Sequence, residues 1–120
     1  FIETKEMTPY IVFLNLLQEI LLLSKFPKMT PISKLILDQL ALHEDTGIHL
    51  TVRQVISFNQ IASPATLHKH LASLRFSGYV STISTTKDKR NKLLALSSLG
   101  HEYIDKLSKA IVKAAEKTKN

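Results

Sequence analysis

The spacing of apolar residues changes character at Gly78, and that change constrains the fold more than any other feature of the chain. Before it, apolar residues recur every three to four positions. After it, Tyr79 to Thr85 is rich in β-branched residues and Leu93 to Leu96 forms a second short apolar run. The first spacing belongs to helices with one buried face, the second to extended strands. The stretch between the runs, Thr86 to Lys92, is entirely polar, so the pair reads as a β-hairpin with a charged tip. No Asn-Gly or Asp-Gly pair fixes its turn, which predicts an open one.

Helix starts are marked by hydroxyl residues followed by proline. Thr30-Pro31 and Ser63-Pro64 each put an N-cap side chain before a proline at the first helical position. Behind Thr30 come Ile32, Leu35, Ile36, Gln39, Leu40 and His43 on one stripe, a helix ending near His43 ahead of Gly47. Behind Ser63 come Leu67, Leu71 and Leu74 as a buried stripe, with Gly78 as the stop and His70 beside the stripe as a packing histidine. Between them, Thr51 and Gln54 have the spacing of a capping box, which predicts a short helix to about Phe58. Ser97 or Ser98 caps a last helix with Leu99, Tyr103, Leu107, Ile111 and Ala114 or Ala115 on one side.

Upstream, Tyr10 to Leu23 is apolar around most of a helical circumference, interrupted only by Asn15, Gln18 and Glu19. The run falls short of the roughly 18 residues a membrane span needs and contains a carboxylate. Its flank, with Glu3, Lys5 and Glu6, lacks the basic region of a signal peptide. Such a helix must be covered on several sides, and a chain of 120 residues has little else to cover it with. A partner subunit is therefore expected. The chain opens on Phe1, which reads as a processed or excerpted start, with Met7 a candidate natural one.

At 44% hydrophobic and 22% charged residues, the composition is that of a globular domain, and the length fits a single domain over residues 1–120 with no internal repeat or linker. Absence of cysteine removes disulfides, thiolate metal sites and thiol redox chemistry, and is compatible with the cytoplasm. The net charge of +6 is unevenly placed. Residues 1–50 carry more carboxylates than amines, whereas in residues 51–100 Arg53, Lys69, Arg75, Lys87, Lys89, Arg90 and Lys92 face Asp88 as the sole carboxylate. A polyanionic partner would meet the chain there.

Two short helices separated by a tight turn and followed by a basic hairpin describe a winged helix-turn-helix. With the leucine stripe turned inward, Ala65, Thr66, His68, Lys69, Ala72 and Ser73 of the second helix lie partly or wholly outward. Thr66, His68 and Lys69 sit at its entering end, where base and phosphate contacts are made. In the hairpin tip, Lys87, Lys89 and Arg90 flank Asp88, and an aspartate beside an arginine pre-aims the guanidinium toward the negative potential of a narrow minor groove.

The stretch from Leu50 to Leu107 resembles the MarR family of bacterial winged-helix regulators. The resemblance rests on Leu50-Thr51-Val52-Arg53, on Ser63-Pro64-Ala65-Thr66-Leu67-His68-Lys69-His70-Leu71, and on Gly78-Tyr79-Val80. Asp88-Lys89-Arg90 matches the family's D-x-R wing, and Leu96-Ser97-Ser98-Leu99-Gly100 stands in place of its L-T-x-x-G. It implies a mainly α fold with a small β-hairpin, in which dimerisation helices at about 8–26 and 98–118 flank a DNA-binding winged helix-turn-helix at about 30–97. It further implies a homodimer that binds a pseudo-palindromic operator in double-stranded DNA, with Thr51, Ser63, Ala65, Thr66, His68, Lys69, Ser73, Lys87, Asp88, Lys89 and Arg90 as the contact set. Arg90 would enter the minor groove and Asp88 orient it. Tyr10, Phe13, Leu14, Leu17 and Leu21 of the first helix, with Leu107 and Ile111 of the last, would form the dimer contact. The chain departs from the family in two places: Lys69 stands where arginine is common, which argues against bidentate guanine reading, and the C-terminal region offers one helix where many relatives have two.

Other functional classes leave weaker marks. His43, His49, His68, His70 and His101 have no triad spacing, and there is no glycine-rich phosphate loop, so an enzyme is not expected. No cofactor is expected, no metal site is assigned, and no small-molecule effector is identified. His43, Glu44 and Asp45 at one helix end and His101, Glu102 and Asp105 at another helix start are the residues on which a metal-sensing alternative would rest. A protein-interaction module and a replication or plasmid-control protein are the remaining alternatives, since winged helices serve both. The expectation is a cytoplasmic, nucleoid-associated DNA-binding regulator without a membrane anchor.

Overall fold

The computed structural model describes residues 7–84 and 92–117. In chain order the elements are α1 (Pro9–Leu21), α2 (Pro31–Asp45), α3 (Val52–Val55), α4 (Pro64–Phe76), β1 (Val80–Ser84), β2 (Lys92–Leu96) and α5 (Ser98–Lys117). Among the described residues no helix is long and apolar enough to cross a membrane. The chain divides into two compact units, residues 28–101 and a second made of residues 1–27 with 102–120.

In the first unit, α2 packs on α4 and on β2, and α3 packs on both α4 and β2. The shared core is Ile36, Leu37 and Leu40 from α2, Val55 from α3, Leu67, Leu71 and Leu74 from α4, and Tyr79, Val80 and Leu94 from the hairpin. The two strands are antiparallel, with Val80 opposite Leu96 and Ser84 opposite Lys92. Leu50 extends the sheet, its carbonyl accepting from the Leu94 amide at 2.7 Å, and Thr51 bridges to Leu93. The stripe on α2 is turned relative to the sequence expectation: Leu35 is exposed, whereas Ser33 and Leu37 are buried. The small Ser33 lets α2 approach α4, where its hydroxyl donates to the His70 carbonyl at 3.5 Å.

Chain reversals are set by local chemistry. The Thr51 hydroxyl accepts from the Gln54 amide at 3.1 Å while the Thr51 amide donates to Gln54 Oε1 at 2.8 Å, the reciprocal pair that the spacing predicts. α4 ends in a left-handed residue, Gly78, at φ 92°. The Tyr79 amide reaches back to the Leu74 carbonyl at 3.0 Å and the Gly78 amide to that of Arg75 at 3.2 Å. Leu74 and Tyr79 are both fully buried at this reversal, so the apolar chemistry and the backbone bonding close the helix together. Ser97, rather than Ser98, caps α5. Its hydroxyl accepts from the Gly100 amide at 3.0 Å and donates to the Gly78 carbonyl, joining the start of α5 to the end of α4.

The second unit contains α1 and the greater part of α5. Phe26 and Tyr103 meet edge to face at 5.4 Å, with Lys25 over the Phe26 ring and ion-paired to Glu102. Tyr103, Ala110 and Ala114 of α5 are buried, while Ile111 is 57% exposed. On α1, Val12 and Ile20 are buried, but Tyr10 is 65% exposed and Ile11 and Leu21 are exposed as well.

A Cβ added at Gly100 would lie 2.4 Å from the Tyr79 carbonyl oxygen, a backbone atom that cannot swing aside. Gly100→Ala is expected to destabilise the chain by about 1–3 kcal/mol despite the better helix propensity of alanine. Urea denaturation measures it, and equal or greater stability would contradict the close approach.

Candidate nucleic-acid interface

The site is built on α4. Ser63 caps it, its hydroxyl accepting from the Thr66 amide at 3.4 Å and donating to Thr66 Oγ1 at 3.0 Å, with Pro64 in the first turn. Leu67, Leu71 and Leu74 all face the core and fix the rotation of the helix about its axis. At about 100° per residue, the side diametrically opposite carries Ala65, Lys69 and Ala72, with His68 on its flank. These four are exposed, as are Ser63 and Ser73, and Thr66 is half-buried. No carboxylate lies anywhere on the helix, so the exposed side combines Lys69 with the positive N-terminal end of the backbone dipole.

Two further α4 side chains complete the picture. Phe76 falls on the same stripe, seven residues beyond Lys69, and is 96% exposed; no sequence motif points to it, although helical spacing alone places it there. His70 is turned the other way: its Nδ1 lies 2.8 Å from Thr30 Oγ1, the hydroxyl that also accepts from the Ser33 amide and caps α2. His70 is thus the tie between the start of α2 and the middle of α4, a packing role.

Thr51 is held half-buried at the head of α3, with its hydroxyl engaged by Gln54. The wing residues Lys87, Asp88, Lys89 and Arg90 lie outside the described residues. Of the residues behind the metal-sensing alternative, the structure joins only Glu44 and His101, Oε1 to Nε2 at 2.8 Å, while Glu44 Oε2 accepts from the Leu96 amide at 3.0 Å. His43 is bonded to the Gln39 carbonyl and stacked on Phe58, Glu102 pairs with Lys25, and Asp105 pairs with Lys109. Among the described residues, no three His, Asp or Glu side chains converge in a way that would hold a metal ion.

No protein-family model matches the chain, and no curated protein matches it by sequence. Solved structures do. A transcriptional regulator from Thermotoga maritima is 17% identical at a TM-score of 0.65, covering 91% of this chain and 68% of its own. MepR of S. aureus, solved as a DNA complex, is 17% identical at 0.64, covering 88% and 81%. ZitR of Lactococcus lactis, a zinc-responsive MarR family member, is 26% identical at 0.50, covering 77% and 57%. The chain has the MarR-family winged-helix fold. In this MarR fold the hairpin β1–β2 is the wing and α3–α4 the helix-turn-helix, and the mainly helical architecture with one small hairpin is the one the sequence predicts.

Because Ser63 supplies the acceptor that starts α4, Ser63→Ala is expected to cost about 1 kcal/mol of stability, and Ser63→Asp, which keeps an acceptor beside the helix N-terminus, is expected to retain it. Denaturant midpoints of the two variants test this, and equal losses would contradict the capping role.

Proposed function

We propose that the chain is a sequence-specific double-stranded DNA-binding transcriptional regulator that acts as a homodimer on a pseudo-palindromic operator. The recognition helix α4 enters the major groove and the wing reaches the adjacent minor groove. The observation that carries this reading is the exposed, carboxylate-free side of α4, diametrically opposite its buried leucines, on a fold that in MepR has been solved on DNA. Ser63, Ala65, Thr66, His68, Lys69 and Ser73 are the groove-facing set, with Thr51 at the head of α3. Lys69, as a mobile point charge, serves a phosphate. Lys87, Asp88, Lys89 and Arg90 complete the surface from the wing, Arg90 in the minor groove with Asp88 holding its direction.

Dimerisation rests on α1 and α5. Tyr10, Phe13, Leu14, Leu17 and Leu21, with Leu107 and Ile111, are its proposed contacts. The large apolar side chains left exposed at Tyr10, Leu21 and Ile111 support it, since a helix with so much uncovered apolar surface gains from a partner.

Affinity for a duplex is expected to fall with salt at a log-log slope of about −0.9 per phosphate contact. Lys69→Ala should weaken binding across sequences and make the slope shallower by about one contact, and Arg90→Ala should weaken binding most at A·T-rich flanks. A fluorescence-anisotropy titration over a salt series reads both; unchanged affinity in the two variants would refute the assigned surface, and salt-insensitive behaviour would favour an apolar protein-interaction surface instead. Ile111→Asp changes a side chain already exposed, so the chain should stay folded by circular dichroism yet sediment as a monomer with reduced affinity for DNA. A wild-type monomer would remove the dimer from the account.

A further inference from the structure

The chemistry of the exposed α4 stripe is specific about how a duplex would be read. The planar side chains that distinguish purines through paired hydrogen bonds are arginine on guanine and asparagine or glutamine on adenine; the lysine ammonium, which also meets guanine, is a point charge without that fork. None of these three planar side chains stands on the outward side of α4, whose exposed or half-exposed residues up to its last turn are Ala65, Thr66, His68, Lys69, Ala72 and Ser73. Arg75 does lie on the helix, in its final turn and exposed, beyond the segment whose N-terminal residues approach base edges. Ala65 and Ala72 offer only methyl groups. The Thr66 Oγ1 accepts from the Ser63 hydroxyl at 3.0 Å, which leaves Thr66 a methyl group and one O–H donor to present. The apolar feature that a major groove presents is the 5-methyl group of thymine.

We propose that α4 reads its operator through thymine methyl groups, with Ala65, Thr66 and Ala72 as the specificity-determining residues and Lys69 fixing register on the phosphates. This rests on the DNA-binding reading above and deepens it. Ala65 and Ala72 are seven residues apart on one stripe, about 10 Å along the helix axis. For a helix lying along the groove, that separates the two contacted thymines by about three base-pair steps of 3.4 Å. Ala65 and Ala72 bear no long side chain, so the backbone of α4 comes close to the base edges and the methyl groups are removed from water on both partners.

The test replaces thymine by uracil, which removes the methyl group and keeps every hydrogen-bonding group of the base pair. A duplex operator is first selected from random double-stranded DNA with the wild-type chain, and each thymine of one half-site is then replaced singly. Affinity should fall about fourfold at each contacted thymine, at two positions about three steps apart, and remain unchanged at uncontacted ones. Ala72→Gly should erase the uracil effect at one of the two positions while leaving the other. A selected operator that binds equally well with uracil at every position overturns this inference alone and returns specificity to His68 and Lys69. Failure to enrich any sequence, with no binding to duplex DNA at low salt, overturns the DNA-binding reading and this inference with it.

Discussion

The three leucines on the inner side of α4 are the contact on which the rest depends. Leu67, Leu71 and Leu74 are buried where α4 packs on α2, whose Ile36, Leu37 and Leu40 are buried as well. Burying each leucine contributes about 2 kcal/mol, and together they leave α4 one rotational setting about its axis. That setting, and no property of Lys69 or Ala65 themselves, puts the opposite stripe in solvent. The outward surface is a geometric consequence of the core. A polar residue in place of any of the three leucines would disturb the presented face as well as the stability.

Polar ties around this core fix the ends of the elements without adding to its apolar mass. The Thr30 hydroxyl serves both the α2 N-terminus and His70, so the start of one helix is registered on the middle of the other. The Ser97 hydroxyl joins the ends of α4 and α5, and the Glu44 carboxylate joins the end of α2 to β2 and to His101. Each tie is made by a short side chain with little rotamer entropy to lose, or by a carboxylate accepting two donors. The result is that α4 is held at its middle and at its C-terminal end.

Local chemistry made much of this legible in the sequence. Proline after a hydroxyl residue, the Thr51–Gln54 spacing, the leucine stripe and the glycine at position 78 act within a few residues of themselves, and the structure reproduces each of them. What escaped was set by tertiary contact. Leu35 looked as apolar as Leu37, and only the approach of α2 to α4 through the small Ser33 decides which is buried. On α5, Ala110 is buried beside the expected Tyr103 and Ala114, because close packing selects for small volume as readily as for hydrophobicity. Gly100 carried no sequence signal of its close approach to Tyr79, since that neighbour lies about twenty positions away in the chain. The candidate site was legible where it follows from the leucine stripe, and Phe76 belongs to the same stripe although no motif names it.

In the proposed complex the outward stripe of α4 meets a DNA duplex while its inward stripe stays in the core. Amide-resolved NMR of the full chain, titrated with a duplex at moderate salt, tests it directly. The largest amide shifts are expected at residues 65–73 of α4, with the Leu67, Leu71 and Leu74 methyl signals, read in a parallel methyl spectrum, keeping their core environment. Shifts confined to α1 and α5, with α4 unperturbed at saturation, would contradict it.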